Sequence, residues 1–497
     1  MKGREKSDGW VVPEGSGNRV PIAETRGGKA ATDIERTRSE GLRRGTAGQP
    51  KPRSTPGATV FPGEVTLERV ATYENLREAF RRVKTNGGAP GPDGRTVGDI
   101  EREYGCRAER LRRLLLTGRY QPQAVRRVWI PKGNGGKRGL GIPNVEDRWV
   151  QQALLQVMAP VYERMFHGSS HGFRTGRSCH TAIAEAKGYV EAERYWMVDI
   201  DLEKFFDRVP HQRLLAKLRR TIRDERIVHI IGTMLRAGVV MSDGVVIATE
   251  EGTPQGGPLS PLLSNIVLDE LDHELGRRGH RFVRYADDLS IYVKSERAGQ
   301  RVFESVTKFL EERMKLAVNR EKSAVSKPRG RHILGFSIRA NMRRKRVALD
   351  LSKRTRERLR ERIQELTPRT YGQSLRSAIR RINRFLRGWA EYFGVATLAG
   401  GPARYADGHI RRRLRGVLLR HWKKPKTIRR KLTGLGAPSA LVNRGVGSGK
   451  GTWRQTMNQA VTMGLRNEHF EQWGLLSLEK LCAQRLERGL PLPEAIP

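Results

Sequence analysis

The sequence predicts an α+β fold. Amphipathic segments with helical spacing and short apolar segments with strand-like alternation follow one another in mixed order, which is typical of an α+β core. The chain has 497 residues, too many for one compact core, so we expect two to four domains. Its formal net charge of +42 indicates a polyanionic partner, most simply a nucleic acid.

The first elements follow a long polar extension. Residues 1–62 are rich in Gly, Pro, Ser, Thr and Arg, and we expect this basic extension to be disordered or ordered only on binding. The segment TLERVATYENLREAFRRVKTN then has apolar residues at mostly helical spacing, namely Leu67, Val70, Leu76, Phe80 and Val83. RAERLRRLLLTGRY predicts a second helix. A Gly-rich turn between two apolar segments predicts a hairpin of Val125–Pro131 and Arg138–Ile142.

Further elements are predicted along the middle of the chain. We expect a long helix over Arg148–Phe166 and a strand over Arg194–Leu202. GTPQGGPLSPLLSNIVLDELDHEL predicts a loop followed by a helix, with Ser260 as the N-cap and Pro261 at the first helical position. Beyond Gly335 the pattern is mostly helical and strongly basic.

The charge is unevenly distributed. Residues 341–440 hold 28 Lys and Arg against 6 Asp and Glu, whereas residues 181–300 hold 17 against 19. This contrast predicts a nearly neutral catalytic block beside a polyanion-binding block. The sequence has no apolar run that predicts a membrane span and no signal-peptide core at its start. Its three cysteines form no CxxC pair, so we expect reduced thiols in a cytoplasmic protein without structural zinc.

Two groups of carboxylates are candidates for catalysis. Alternation places Asp199 and Asp201 on one face of a strand whose other face is apolar. In RFVRYADDLSIYV, two apolar arms can form a hairpin with its tight turn at Ala286–Asp288. Taken alone, YADD is more typical of a solvated turn. If the YADD turn lies next to the strand that carries Asp199 and Asp201, the carboxylates would together offer oxygen ligands for Mg²⁺. Two such ions can assist phosphoryl transfer.

An ordered set of motifs around these acids resembles the reverse transcriptases. The set contains IPK (130–132), KRGLGIP (137–143), HGFRTGRS (171–178), DLEKFF (201–206), TPQGGPLSP (253–261), YADD (285–288), NREKS (319–323) and LGF (334–336). With RINRFLRGWAEYF (381–393) and RRRLRGVLLRHWKKPKT (411–427), the chain is similar to bacterial group II intron-encoded reverse transcriptase/maturases over about residues 63–497. The resemblance implies a right-hand polymerase with fingers and a palm containing a small antiparallel sheet, followed by an α-helical thumb/maturase domain.

The resemblance also implies the site residues. Catalysis and the binding of two Mg²⁺ ions fall to Asp201, Asp287 and Asp288, with Asp199 as an alternative on the same strand face. Nucleotide contacts fall to Lys132, Arg138, Phe206, Gln255 and Lys322. Phe206 resembles a steric gate against the ribose 2′-OH. Core packing is its alternative role, and whether it or Phe205 faces the site stays open. His171 and Arg174 belong to a motif without a chemical role that the sequence reveals.

RNA binding is implied for the basic block. The candidate residues are Arg384, Arg387, Arg411, Arg412, Arg413, Lys423, Lys424 and Lys426. Four aromatic residues among them have helical spacing, which favours packing over base stacking; they are Trp389, Tyr392, Phe393 and Trp422. The implied domains are the extension (1–62), an N-terminal fingers region (63–124), fingers and palm (125–340), the thumb/maturase domain (341–435) and a DNA-binding region (436–497).

The implied function is an RNA-directed DNA polymerase. It would copy intron RNA into DNA by two-metal phosphoryl transfer, and bind that RNA to assist splicing and intron mobility. Its partners would be the intron RNA, a DNA target and primer, and deoxynucleoside triphosphates, with no membrane. Without an HNH endonuclease, it would use a DNA strand nicked or exposed by something else. A maturase with a relic polymerase is disfavoured by the intact acids, and a retron-type or diversity-generating enzyme by the long basic region.

Overall fold

The computed structural model describes residues 64–131, 136–241, 244–247, 251–253, 256–368, 372, 374–446 and 451–490. The predicted extension over residues 1–62 lies outside this part of the chain. Two predicted nucleotide contacts, Lys132 and Gln255, also lie outside it. Among the described residues, three small sheets are combined with many helices, which confirms the predicted α+β class.

The strands of the described residues are short. In chain order they are β1 (Val125–Pro131), β2 (Lys137–Ile142), β3 (Trp196–Asp201), β4 (Val239–Val240), β5 (Val246–Ile247), β6 (Arg281–Tyr285), β7 (Asp288–Val293), β8 (Ala324–Ser326), β9 (Phe336–Asn341) and β10 (Arg346–Leu351). The β1–β2 hairpin is the predicted one, with β2 beginning one residue earlier, at Lys137. The predicted strand near residue 200 is β3, and it is shorter at both ends.

Helices make up most of the rest of the described ranges. Ten of them precede β8: α1 (Leu67–Val70), α2 (Tyr73–Asn86), α3 (Val97–Arg102), α4 (Tyr104–Leu116), α5 (Val145–Glu163), α6 (Cys179–Glu191), α7 (His211–Thr221), α8 (Glu225–Arg236), α9 (Ser260–Arg277) and α10 (Glu296–Lys308). Nine follow β10: α11 (Lys353–Leu366), α12 (Leu375–Phe393), α13 (Gly400–Trp422), α14 (Pro425–Gly434), α15 (Ser439–Gly445), α16 (Thr452–Gln455), α17 (Gln459–Gly464), α18 (Asn467–Gln472) and α19 (Leu478–Glu487). A 3₁₀ turn at Phe205–Asp207 and a π-helical turn at Phe309–Arg313 complete the set.

Several helix boundaries differ from their predictions. The first predicted helix is divided into α1 and α2, because the Thr72 side chain accepts the N–H of Asn75 and caps a new helix there. Helix α5 begins and ends three residues earlier than expected, at Val145 and Glu163. The capping predicted for Ser260 is wrong by one position. Leu259 is the N-cap and makes no side-chain cap bond, and Ser260 and Pro261 already belong to the first turn of α9.

The sheet that carries the acids is antiparallel, with strand order β6-β7-β3-β8. We call it the palm sheet. A second sheet, β2-β1-β4-β5, contains the predicted hairpin, and β9 pairs with β10 in a third.

Two apolar cores lie on opposite faces of the palm sheet. Val198 and Ile200 of β3 belong to a core with residues of α1, α2, α5 and α7 to α9. Met197 belongs to a second core with residues of α6, the β9–β10 sheet and the C-terminal helices. This alternation confirms the predicted faces of β3 and places its acid face on the Met197 side.

Candidate active site

The palm sheet brings the three predicted catalytic acids together. Asp201, the last residue of β3, pairs directly with Asp288, the first residue of β7. Side chains that face each other in this way have Cβ atoms about 5 Å apart. Asp287 lies in the turn that joins β6 to β7, between Tyr285 and Asp288. Acids separated by 86 positions in the sequence therefore meet at one end of a single sheet.

The turn that holds Asp287 is tighter than predicted. Because Tyr285 pairs with Asp288, only Ala286 and Asp287 lie between the strands. Ala286 has a left-handed backbone with φ of +57°, as the first central residue of some two-residue hairpin turns requires. Asp288 therefore belongs to the strand, whereas the sequence placed it in the turn.

Two basic side chains approach the acids of β3. The Lys322 Nζ lies 3.2 Å from the Asp201 Oδ2. The Arg331 guanidinium lies 3.9 Å from the Asp199 Oδ2. Asp199 pairs with Ser290 rather than with another acid. The register of β3 against β7 therefore sets Asp201 opposite Asp288, and Asp199 lies two residues further from the turn. The prediction of Asp201 over Asp199 is consistent with this register.

The segment after α10 fixes the end of β3. Asn319 donates its backbone N–H to the Asp201 carbonyl at 2.8 Å, and the Asp201 N–H donates to the Ser323 Oγ at 3.0 Å. These bonds explain why NREKS lies beside the acids. They hold the backbone of Asp201 in place and do not involve its carboxylate, which pairs with Lys322.

The electrostatics of the acid cluster favour the binding of cations. Removal from bulk water raises the pKa of Asp287, and Asp201 raises it further. Asp288 keeps an exposed side chain, but the surrounding protein and the charges of Asp287, Asp199 and Asp201 raise its pKa to about 7. Burial raises the pKa of Asp199 to about 6. Each shift means that the negative form lacks compensating charge, which a bound cation would supply.

The donor set fits Mg²⁺ in the way that polymerases use it. Within the described ranges, no group of three or more His, Cys, Asp or Glu side chains is arranged to hold a metal ion unaided. Mg²⁺ is commonly held by one or two carboxylates together with water and substrate phosphates. The facing pair Asp201 and Asp288, with Asp287 beside them, offers such an incomplete set of hard oxygen ligands.

A buried ion pair supports the turn from below. Arg284 and Asp272 are both fully buried, and the Arg284 guanidinium donates to both carboxylate oxygens at 2.5 to 3.0 Å. It also donates to the Ala286 carbonyl at 2.9 Å, as well as to Asn265 and Ser170. Because Ala286 directly precedes Asp287, this guanidinium ties the turn to helix α9.

The HGFR motif (171–174) has a structural role. The imidazole of His171 lies 2.7 Å from Glu185 and 2.8 Å from Thr181. Arg174 donates to Glu163 and to two carbonyls of the preceding loop. A Cβ atom at Gly172 would lie 2.3 Å from the Ala286 nitrogen. The motif therefore forms a rigid loop that is pressed against the turn, and only glycine fits at the contact.

Of the predicted nucleotide contacts, Arg138 acts on the acids electrostatically, whereas Phe206 packs against the first core, the alternative role expected for it. Arg138 is exposed on β2, and its charge acts to lower the pKa of Asp287 and Asp288, so the hairpin reaches the cluster electrostatically. Phe205 is buried, whereas Phe206 is only half-buried, with its ring centre 5.3 Å from that of Phe205. The Thr253 N–H donates to the Phe206 carbonyl.

The predicted RNA-binding residues differ in exposure. Five of them are exposed: Arg384, Arg387, Lys423, Lys424 and Lys426. Arg411, Arg412 and Arg413 are half-buried. Arg412 packs its guanidinium 4.1 Å from the centre of the Trp453 ring, and Arg413 donates to the Thr367 carbonyl of the segment after α11. These last two therefore have intramolecular roles that the sequence did not indicate.

The aromatic residues of this region mainly pack. Trp389 and Phe393 belong to the second core, as their helical spacing predicted. Tyr392 is half-buried and donates its hydroxyl to the Leu334 carbonyl. Trp422 is half-buried against the same core.

Sequence reasoning missed the residues that support the acids. Arg284, Asp272 and Asn265 form the buried network under the turn, and Arg331 pairs with Asp199. One signal was available, since Arg284 is a charged residue inside the apolar strand segment that precedes YADD. The identity of its partner on α9 was not predictable without the fold.

Acids at the end of an antiparallel palm sheet, opposite a basic hairpin, are the arrangement of a polymerase of the reverse transcriptase class. Residues 130–338 match the family "Reverse transcriptase (RNA-dependent DNA polymerase)". Residues 356–434 match "Group II intron, maturase-specific domain".

Curated relatives agree with these two matches. Protein YkfC of Escherichia coli is 35% identical over 52% of this chain and 78% of its own length. The group II intron-encoded protein LtrA of Lactococcus lactis is 31% identical over 45% of this chain and 48% of its own length. A putative COX1/OXI3 intron 2 protein of Saccharomyces cerevisiae is 28% identical over 56% and 39%. The match to this chain thus covers less than half of the length of LtrA and of the intron 2 protein.

The chain belongs to the family of group II intron-encoded reverse transcriptase/maturases. The predicted family, fold class and enzyme class, an RNA-directed DNA polymerase, are confirmed by these matches. Across the described residues, no helix is both long and apolar enough to cross a bilayer.

Proposed function

We propose that this protein copies the RNA of its own group II intron into DNA and binds that RNA to assist splicing and intron mobility. The observation that carries the proposal is the register that sets Asp201 against Asp288 with Asp287 in the adjoining turn. We assign the catalytic role to these three residues. Intron RNA, a DNA target and primer, and deoxynucleoside triphosphates are the proposed partners, and a cytoplasmic location stays a prediction.

We propose that Asp201, Asp287 and Asp288 hold two Mg²⁺ ions together with the substrate phosphates. When bound, such ions activate the attacking 3′ oxygen and stabilise the leaving pyrophosphate oxygen. The chain's own contribution is to hold the three carboxylates on a rigid sheet end, with the turn fixed by Arg284 and the neighbouring strand by Ser323. Lys322 places a positive charge 3.2 Å from the Asp201 Oδ2, and we assign it a contact with the incoming nucleotide.

The triphosphate would enter between the hairpin and the palm sheet. Arg138 on β2 is exposed and near enough to influence the acids electrostatically, which supports a role in gripping phosphate oxygens. We assign the same role to Lys132 and a template or nucleotide contact to Gln255. The half-buried ring of Phe206 is the proposed gate against a ribose 2′-OH.

The RNA-binding face is assigned to the basic helical region. Arg384 and Arg387 are exposed on α12, and Lys423, Lys424 and Lys426 are exposed between α13 and the start of α14. These side chains can contact phosphates. We assign Arg411 to the same face, and give Arg412 and Arg413 a mainly structural role there. The five-part division of the chain is likewise proposed, and the two family matches fall within its third and fourth parts.

Primer extension tests the site assignment. The Asp287→Ala variant should lose Mg²⁺-dependent synthesis of DNA on an RNA template while keeping its affinity for cognate intron RNA. The matched control is Glu296→Ala, which removes an exposed carboxylate just beyond the opposite end of β7 and should extend primers normally. Full-length cDNA made by Asp287→Ala would contradict the assignment. A splicing assay with the cognate intron RNA tests the maturase role separately.

A further inference from the structure

A cavity opens in the helical C-terminal region, away from the acids. It lies between α11 and α13 and has a volume of about 270 Å³, equal to about nine water molecules. Its inner wall is mainly apolar, with Leu359, Ile363 and Ala406. Its remaining lining includes Arg356, Arg360, Tyr405 and His409. An apolar slot of this size with a few polar groups suits one small planar ring system.

Tyr405 offers a flat surface at this cavity. Its side chain is 62% exposed, although most large aromatic residues of this chain are covered. The Tyr405 ring is parallel to that of His409 within 4°, with ring centres 6.4 Å apart. The two residues are four positions apart on α13 and so share one helix face. They form an aromatic surface beside an apolar slot.

His409 adds an unsatisfied polar atom. Its Nε2 is buried and has no hydrogen-bond partner among the described residues, whereas buried polar atoms nearly always have one. Burial lowers the pKa of His409, and the charges of Arg413, Arg360 and Arg412 lower it further. Both effects favour the neutral imidazole, which forms part of the cavity wall with its Nε2 unsatisfied.

The charge at the cavity comes from two arginines with different surroundings. Arg356 is committed to Asp350, at 2.6 Å. The guanidinium of Arg360 instead lies over the Tyr405 ring, 5.6 Å from its centre. Arg360 is exposed, so its remaining N–H groups can reach a phosphate next to a ring that stacks on Tyr405.

We propose that this cavity binds one unstacked nucleobase of single-stranded RNA. Tyr405 is the stacking platform, the His409 imidazole forms part of the cavity wall, and Arg360 contacts the adjacent phosphate. This inference rests on the proposed RNA-binding function and narrows it to an unpaired nucleotide. Proteins that recognise RNA commonly stack splayed bases on aromatic rings and guanidinium planes. A base inside a duplex cannot present its face in this way.

Binding of short oligo(rA) and oligo(rU) strands and of a blunt RNA duplex, measured by fluorescence anisotropy on the full chain, tests the proposal. Tyr405→Ala should weaken binding of at least one single strand about tenfold or more, the range expected for removal of one base-stacking ring. Tyr405→Phe should bind normally, since the ring remains. Affinity for the duplex should not change in either variant.

The salt dependence separates stacking from phosphate contact. For the single strand, Tyr405→Ala should leave the slope of log affinity against log salt unchanged, whereas Arg360→Gln should reduce it by about 0.7. The matched control is Tyr73→Ala on α2, which removes another exposed tyrosine with an arginine, Arg112, over its ring. This control should bind both strands normally.

Two outcomes would overturn the proposal. In one, Tyr405→Ala binds both single strands as tightly as the unaltered protein. In the other, it loses as much affinity for the duplex as for the single strands, which would indicate a backbone contact. Either outcome, with normal primer extension by the unaltered protein, contradicts the cavity assignment alone. Failure of the unaltered protein to bind any RNA would contradict the proposed RNA-binding function as well.

Discussion

Methionine in place of Arg284 should destabilise the palm sheet and disturb the catalytic turn together. The guanidinium is buried, and so is its partner Asp272. Removing the cation leaves a carboxylate without compensation in the interior. The substitution also removes the donor to the carbonyl of Ala286, the residue that directly precedes Asp287.

The size of the effect follows from this burial. Breaking a buried ion pair by removing one partner costs about 3–5 kcal/mol. Replacing both partners by apolar residues of similar volume is commonly near neutral. Arg284→Met should therefore lose about 3–5 kcal/mol, and the double variant with Asp272→Leu should recover most of it. Neither variant restores the bond to Ala286, so primer extension should remain low in both.

Hydrogen exchange of the β6 and β7 amides under mild denaturant is the appropriate assay, because a chain of several domains does not unfold in a single step. The control is Arg277→Ala, whose side chain is 72% exposed and pairs with Glu274. Such a surface pair contributes about 0–1 kcal/mol. The stabilising role of the Arg284–Asp272 pair is refuted if Arg284→Met behaves like this control, or if the double variant is no more stable than the single one.

Three further predictions concern other parts of the chain. Burial raises the pKa of Asp147 to about 6. Local stability should therefore fall by about 3 kcal/mol as the pH rises from about 4 to 6, and hydrogen exchange of the α5 amides under mild denaturant should lack that dependence in Asp147→Asn. Phe206→Val should increase ribonucleotide incorporation in primer extension, and unchanged sugar selectivity would remove its role as a gate. For intron RNA binding, the double variant Arg384→Gln, Arg387→Gln should reduce the slope of log affinity against log salt by about one to two. An unchanged slope would exclude both residues as phosphate contacts.

Much of the site was accessible from the sequence because its motifs are local and ordered. DLEKFF and YADD each carry their acid within a few residues of a recognisable strand, so Asp201, Asp287 and Asp288 could be named before their meeting was visible. The alternation along β3 predicted which residues face each core, because a strand has a fixed period of two.

Other features depended on contacts between distant segments. The choice of Asp201 over Asp199 opposite YADD follows from the register of β3 against β7, and a shift of register would change it. The pairing of Arg284 with Asp272 requires α9 to pack beneath β6. Arg412 and Arg413 look like ordinary RNA-binding candidates in the sequence, yet helix packing brings them to Trp453 and Thr367.

By itself, the sequence determined the class of enzyme, its candidate acids and the basic character of its helical region. These properties depend on residue type, order and short-range spacing. Only the tertiary structure decided which acids face one another, which buried arginine supports the turn, and where Tyr405 and His409 meet a cavity. Those features depend on strand register and helix packing, which join positions that are far apart in the chain.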